Sequence, residues 1–547
     1  MGYAHEYADA ILHRGRIPME PVDFVPDWAD RPRKAKFYPG AETLPLPGAD
    51  AAGSATGPEF TLPLLSAMLQ ESYGLTGRRL AVQANTDLAA LPHYTQANWS
   101  RGTASGGGLY PVSVYWAAGA GGPLAPGLYH YAPHQHGLRR LLAGDVTGEV
   151  RRALGAREAD AAGCTQYLVL GVKYWQNSFK YNSFSFHAVS MDVGALLQTW
   201  RLWAGERGLR IAPALWFDEE RLARLLGVAP REEGLFAVVP LEWAGAPREP
   251  GGAGGIPEPV PAGGGHEAVP SGDGPGSRPG GDGPESRPAV VRRDSERSRS
   301  VLQFETLEHI HEATLGRAAD RPAPGALDAA AAFPPRGGDP LPLPPPAATP
   351  LRVDRALRAR RSSFGRFDAS RTVTAEHLAA TLADSAAASV GSEAERPDGP
   401  RLTALYAFVN HVEGVAPGAY AYDPAAHALR PVVSGPPGPF LQRNYFLSNY
   451  NLEQAGAVLV PTVRTTAVLD AVGDRGYRLV NATVGAVAQT FYTTAAAHGL
   501  GAGVALGFDN IAYIEELGLT GSGEAPLLIM LLGHERPEPA DFRHEIA

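Results

Sequence analysis

Ala125-Pro-Gly-Leu-Tyr-His-Tyr-Ala-Pro-His-Gln-His-Gly-Leu-Arg139 returns later in the chain as Ala416-Pro-Gly-Ala-Tyr-Ala-Tyr-Asp-Pro-Ala-Ala-His-Ala-Leu-Arg430. Gly127 corresponds to Gly418, 291 positions on. The same offset carries Gly194 to Gly485, Gln198 to Gln489, Gly208 to Gly499, Phe217-Asp218 to Phe508-Asp509 and Gly227 to Gly518. One offset held over about 100 residues is far too long a period for a solenoid and means two copies of one domain.

Each copy follows one plan. A strand-like run (Tyr167 to Val172; Ala457 to Val460) leads to a long helical pattern, Val189 to Arg207 and Val480 to His498. Gly208 and Gly499 stop these helices. Short helices follow, Glu219 to Leu226 and Asn510 to Leu517, and a hydrophobic strand closes each copy, Leu235 to Leu241 and Leu527 to Leu532. Strands plus long helices predict an α+β fold in tandem. The stretch Asp339-Pro-Leu-Pro-Leu-Pro echoes Thr43-Leu-Pro-Leu-Pro, so the repeat includes an N-terminal arm. Residues 1–244 form the first half and 301–547 the second, with a helix expected over Val301 to Arg317. Between them, 245–300 is rich in Gly, Pro, Ser and charge and is expected to be a disordered linker.

A length of 547 residues is too great for one ordinary core, and 44% apolar with 19% charged residues fits a globular protein. No run of apolar residues is long enough to span a bilayer, and Met1-Gly-Tyr-Ala-His-Glu-Tyr7 is unlike a signal peptide. The single cysteine, Cys164, excludes an intrachain disulfide and a multi-cysteine metal site. These features favour the cytoplasm. A net charge of -9 without a basic stripe argues against nucleic acid as a partner. No Rossmann glycine motif or P-loop is present. His134, His136 and His427 lie in turn-like repeats and read as turn residues rather than metal ligands.

Several motifs then converge on a family. Ser105-Gly-Gly-Gly-Leu-Tyr-Pro-Val-Ser-Val-Tyr115 resembles the PSAGGLYPVEVY segment of SagB-type dehydrogenases, members of the nitroreductase superfamily. Lys180-Tyr181 followed by Asp192-Val-Gly194 resembles their KYGxRxYRxxxxDxG stretch. Arg360-Arg-Ser-Ser-Phe-Gly-Arg-Phe367 resembles the RRSxRxF flavin-binding opening, and Gly473-Asp-Arg-Gly-Tyr-Arg478 the GERxYR part of the second motif. The resemblance covers most of both halves and implies tandem nitroreductase-like domains with FMN at the interface between copies.

The halves differ in what they keep. The first has the Ser105 segment and Lys180-Tyr181 but no Arg-Arg-Ser; the second has Arg360-Arg361-Ser362, and Ala471-Val472 stand opposite Lys180-Tyr181. One chain is therefore expected to form an intrachain pseudo-dimer with one complete FMN site and one degenerate site; homodimerisation is left open. Arg360, Arg361 and Ser362 suit a phosphate, since a guanidinium is a planar fork of donors, with Arg536 as a further candidate. Ser105, Gly106 and Gly107 offer backbone at close range to the cofactor, and Gly507 backbone near its ring.

The resemblance implies an azoline dehydrogenase that turns thiazolines into thiazoles in a ribosomally made, thiopeptide-like precursor. Lys180 and Tyr181 would be the catalytic pair, one of them taking a proton while the flavin takes a hydride. Partners would be the azoline-containing peptide and cyclodehydratase and leader-binding proteins of its pathway. Two other readings compete: an NAD(P)H-dependent flavin reductase, and a non-catalytic scaffold.

Some positions depart from the family pattern. Ala104 stands for Pro, Gly106 for Ala, Phe184 and His187 for two arginines, and Phe364 near an expected basic residue. Trp175, Phe179, Phe184, Phe186, Tyr445 and Tyr450 then either give the site an aromatic mouth or pack in the core. Lys173-Tyr174 lacks the downstream Asp-x-Gly spacing and reads as structural.

Overall fold

Each copy of the repeat builds an antiparallel sheet and lays one long helix beside the equivalent helix of the other copy. A computed structural model describes residues 2–83, 93–155, 163–245, 288–396, 398–537 and 541–546. The first sheet runs Thr43–Pro45, Gly137–Ala143, Gly127–Ala132, Val112–Ala118, Gln166–Lys173, Glu233–Leu241. The second runs Gly501–Ala505, Ile529–Gly533, Ala457–Val463, Thr403–Val409, Gly418–Asp423, Ala428–Ser434, Leu341–Pro342, with Ala525–Pro526 also paired to Ala457–Val463. The central strands are buried along their length, as expected where both faces of a sheet are covered.

The proline-rich echo is an edge strand in both halves. Leu44 pairs with Leu138, and Leu341 with Leu429, which is Leu138 shifted by the repeat. Proline is tolerated there because an edge strand need not donate on its outer side. A small third sheet joins Asp541–Glu545 to Gly77–Gln83 and His93–Ser100, tying the end of the chain to the first half.

The long helices are Ser185–Gly205 and Gly476–Ala497, and nearly all their residues are buried. Gly208 and Gly499 follow them at φ 74° and 68°, the left-handed conformation expected of a helix stop. Asp218 caps Glu219–Leu226 by accepting from the amide of Arg221, and Asp509 caps Asn510–Glu516 by accepting from Ile511 and Ala512. The helix expected over Val301 to Arg317 is shorter, Glu305–Leu315.

The linker expectation needs correcting at its C-terminal end. Residues 246–287 lie outside the described residues, but 288–300 pack against the first half. Val290 is buried, Ser295 N donates to Phe37 O at 2.7 Å, and Lys173 Nζ pairs with Asp294 and Glu296, each at 2.5 Å. Ion pairs and main-chain bonds hold this polar segment, and these are invisible to a composition argument. Among the described residues no helix is long and apolar enough to cross a membrane.

Candidate functional site at the interface of the halves

The Ser105 loop is held from both halves. Thr103 Oγ1 donates to Thr199 Oγ1 at 2.9 Å within its own half. Across the interface, Gln489 accepts from Ala104 N at 2.9 Å, and Arg360 donates to Gly102 O and Arg101 O at 2.8 and 2.9 Å. Buried Asp192 completes the cradle: it accepts from Ser105 Oγ at 2.6 Å and from Gly106 N at 2.8 Å. Burial pushes its carboxyl up to about 7, against the two hydrogen bonds that favour the ionised form. Gly107 and Gly108 have φ of 62° and 63°, and Gly107 is exposed, so the loop presents bare backbone.

Lys180 and Tyr181 face that backbone. They end the helix Trp175–Tyr181, which starts straight after the strand Gln166–Lys173. A Cβ placed on Gly107 would lie 2.5 Å from the Tyr181 hydroxyl and 2.8 Å from Lys180 Nζ. An added Cβ would force the ends of these two side chains to shift, and the φ of 62° at Gly107 itself favours glycine. Both residues are half-buried, and the ammonium sits 4.7 Å from the Tyr181 ring centre.

The other named residues lie on the second half. Ser362 Oγ shares a hydrogen bond with Tyr492 OH at 2.8 Å, and the Arg360 guanidinium lies 5.1 Å from the Tyr492 ring. Arg361 is bound by Glu535, just past the last strand of the sheet. Arg536 is exposed and donates to Gly365 O at 2.6 Å. Half-buried Gly507 lies against Leu447 and accepts from Phe446 N at 2.9 Å. Arg14, on the N-terminal arm, reaches Leu506 O and Asn510 Oδ1 and stacks over Phe184 at 4.8 Å, linking the Gly507 loop to the Lys180 side.

The repeat makes the two interfaces comparable, and they have diverged. Arg475 and Arg478 correspond to Phe184 and His187. Both arginines are buried and clasp the Glu219 carboxylate of the other half at 2.9 and 2.8 Å. Burial alone would raise Glu219, but Arg478 and Arg475 hold it at about 2. At the first interface, the one that holds Gly507, Asn510 stands in place of Glu219, and Arg14 supplies a cation beside it. Gly507 corresponds to Trp216, which is buried. There the amides of Leu215 and Trp216 donate to the Glu393 carboxylate at 2.9 and 2.7 Å. A large ring and a carboxylate thus fill the place where the first interface has glycine.

Sequence reasoning missed Arg14, Gln489 and the pairing of Glu219. Asp192 was visible in the Asp-x-Gly spacing, though not as the clamp of the loop. Of the two readings of the aromatic set, core packing holds for Phe186, Phe179, Tyr450, Tyr445 and Trp175, which are buried, and Phe184 alone of that set is half-exposed. Lys173 is paired as above, and Tyr174 OH bonds His311 Nδ1 at 2.8 Å, so this dipeptide is structural. His136 and His427 take the same turn role, with φ of 44° and 47° and matching bonds to Tyr131 and Tyr422 at 3.0 Å.

Residues 357–534 match the Nitroreductase family, so the second half carries a nitroreductase-family domain. A solved structure from Anabaena variabilis, ascribed to the nitroreductases, matches at TM-score 0.68 and 21% identity, covering 98% of this chain and 100% of that one. The chain thus has the nitroreductase fold along its whole length. A Ralstonia eutropha protein, also ascribed to the nitroreductases, matches at TM-score 0.29 and 20% identity, over 38% of this chain and 97% of its own. The E. coli microcin synthetase McbBCD complex with truncated pro-MccB17 bound matches at TM-score 0.28 and 19% identity, over 33% of this chain and 70% of that one. The last two carry no weight below. No curated protein matches.

Proposed function

We propose that the protein is an FMN-dependent dehydrogenase that oxidises azolines, chiefly thiazolines, to azoles in a ribosomally made peptide. The observation that carries this reading is the meeting of Gly107 with Lys180 and Tyr181, in a loop that Arg360 and Gln489 of the other half hold in place. Loop, basic pair and arginine cluster come from three separate stretches of sequence, and each is a part that such a reaction needs.

The residues suit FMN. Arg360 spends two donors on neutral carbonyls, and no carboxylate pairs with it among the described residues. Arg361 and Arg366 gather around the Glu535 carboxylate and Arg536 stands near Asp368, so with Arg360 four arginines stand against these two carboxylates. That excess of cations and the Ser362 hydroxyl fit a phosphate dianion. Bare backbone at Gly106, Gly107 and Gly507 fits a flat ring system. FMN, when bound, would supply the hydride acceptor. Lys180 Nζ or the Tyr181 hydroxyl would take the proton from the ring carbon beside the imine, and the other would pass it on or orient the ring. Asp192 would keep the loop fixed against this pair. The substrate would be an azoline-containing precursor, supplied by cyclodehydratase and leader-binding proteins of the same pathway.

The test is anaerobic single turnover. A thiazoline peptide should bleach the flavin of the purified protein and lose two hydrogens by mass spectrometry, while NADH and NADPH should bleach it slowly. Fast bleaching by a nicotinamide with none by the peptide would reassign the protein as a flavin reductase. Failure to hold flavin even after reconstitution would favour a scaffold.

A further inference from the structure

Arg139 and Arg430 are equivalent residues of the repeat with different surroundings. Arg430 Nε donates to Asp423 Oδ2 at 3.0 Å. The position equivalent to Asp423 is Ala132, so Arg139 has lost that carboxylate. Arg139 is only 6% exposed, yet among the described residues its Nε and Nη1 have no hydrogen-bond partner; Nη2 donates to Gln135 Oε1 at 2.9 Å, and the guanidinium lies 4.8 Å from the Phe37 ring centre. A buried guanidinium with two unused donors is costly unless something anionic completes it.

Arg139 and Ala132 both line a cavity of about 840 Å³, which Gly107 also lines. Arg31, Arg33, Lys34 and Arg297 stand around it. Among the described residues no carboxylate lines it: Lys36 is bound by Glu233, and Asp294, whose field reaches Arg139, and Glu296 are bound by Lys173. Lys34 is pushed below its ordinary range by desolvation and then by Arg101, Arg31 and Lys180, a sign of a positive field. Trp28, Phe37 and Trp99, 50%, 40% and 45% exposed, line the same cavity. Arg33 and Arg139 lie 5.5 and 4.8 Å from the Phe37 ring centre and Arg78 5.0 Å from that of Trp99, so the exposed rings form an apolar patch rimmed by cations, the kind of patch that marks a binding surface. Trp28 also packs edge-on against Phe179, next to Lys180, at 5.2 Å.

We infer that this cavity is a docking groove for a peptide carboxylate, which Arg139 receives in the place that Asp423 fills in the other half. The aromatic side chains cover the peptide's apolar groups, and the groove delivers the chain past Gly107 to Lys180 and Tyr181. This rests on the reading of the protein as a peptide-modifying enzyme, but its test needs no turnover.

The probes are rhodamine-labelled ten-residue peptides without azolines: a C-terminally amidated one rich in Glu, its Gln counterpart, and the Gln peptide with a free C-terminus. Fluorescence anisotropy with the full chain should show the Glu peptide, the free-acid peptide or both binding roughly 10- to 100-fold tighter than the amidated Gln peptide. Which of the two binds identifies the carboxylate as side-chain or C-terminal. Ala132→Asp restores the internal partner that Arg430 already has, so the variant should fold and lose that preference. Arg139→Gln should lose it too, and unchanged thermal melts would exclude unfolding. Equal binding of all three peptides, no binding of any, or a preference that survives both substitutions overturns the proposal. Loss of thiazoline oxidation with intact carboxylate binding would count against the proposed reaction and leave the groove standing.

Discussion

Gly194 and Gly485 stand at the crossing of the two long helices, Gly194 against the backbone of Ala482 and Gly485 against that of Met191. A Cβ on Gly194 would strike Ala482 O, and one on Gly485 would strike Met191 O, both well inside the 3.0 Å that real Cβ atoms keep. The two residues are equivalent in the repeat, so the crossing lies on the pseudo-twofold axis of the chain. Close approach here brings Gln489 and Arg360 within reach of the Ser105 loop.

Gly485→Ala should therefore destabilise the protein by roughly 1–3 kcal/mol, the usual cost of overpacking a tight contact. It should also weaken flavin retention, because the candidate site straddles this interface. Urea unfolding and the flavin absorbance of the purified variant measure the two effects. Wild-type stability with full flavin would mean that the helices have room the structure does not show.

Flavin should bind at one per chain. Trp216 and the Glu393 carboxylate fill the second interface where the first has Gly507. Absorbance of released FMN against protein concentration decides it, and two FMN per chain would refute the asymmetry.

Lys180→Met and Tyr181→Phe should keep FMN yet lose roughly 10²- to 10⁴-fold in rate, the range for a positioned acid or base. Val472→Tyr, at the equivalent of Tyr181, should leave the rate unchanged. Normal turnover of both Lys180 and Tyr181 variants would remove the pair from the mechanism.

Asp192 should make stability depend on pH in an unusual direction. Its folded carboxyl titrates at about 7 against an ordinary 3.8, so the folded chain keeps a proton that the unfolded chain releases. The stabilisation is full below the unfolded value and is lost as pH rises to the folded one. Urea midpoints at about pH 5 and about pH 8 should differ less in Asp192→Asn than in wild type. An equal difference in both would show that Asp192 does not titrate in that window.

Glu219 should act in the opposite sense. Held at about 2 against an ordinary 4.5, it contributes stability above the ordinary value that is lost as pH falls through the folded one. Glu219→Gln leaves Arg475 and Arg478 buried without their carboxylate and should cost roughly 3–5 kcal/mol. Denaturant unfolding at neutral pH measures it, and a loss under about 1 kcal/mol would mean that the arginines find other partners.

The sequence alone determined the features that rest on local signals. The repeat offset, the glycine stops at Gly208 and Gly499, the helix Glu219–Leu226 and the turn role of His136 and His427 were legible because left-handed helix stops, turns and helical periodicity act within a few residues. Tertiary structure decided the fate of the charges and the rings. Arg475 and Arg478 find Glu219 some 250 residues away, as their bonds record, Arg14 reaches the Gly507 loop from the N-terminal arm, and residues 288–300 dock through Asp294 and Glu296. What the differences between equivalent positions do shows only in the folded chain: Arg430 meets Asp423 while Arg139 has no carboxylate hydrogen-bonded to it among the described residues, and Gly507 leaves space that Trp216 fills. The physical reason is that a side chain's partner is set by distance in space, and the halves meet through contacts that no local pattern encodes.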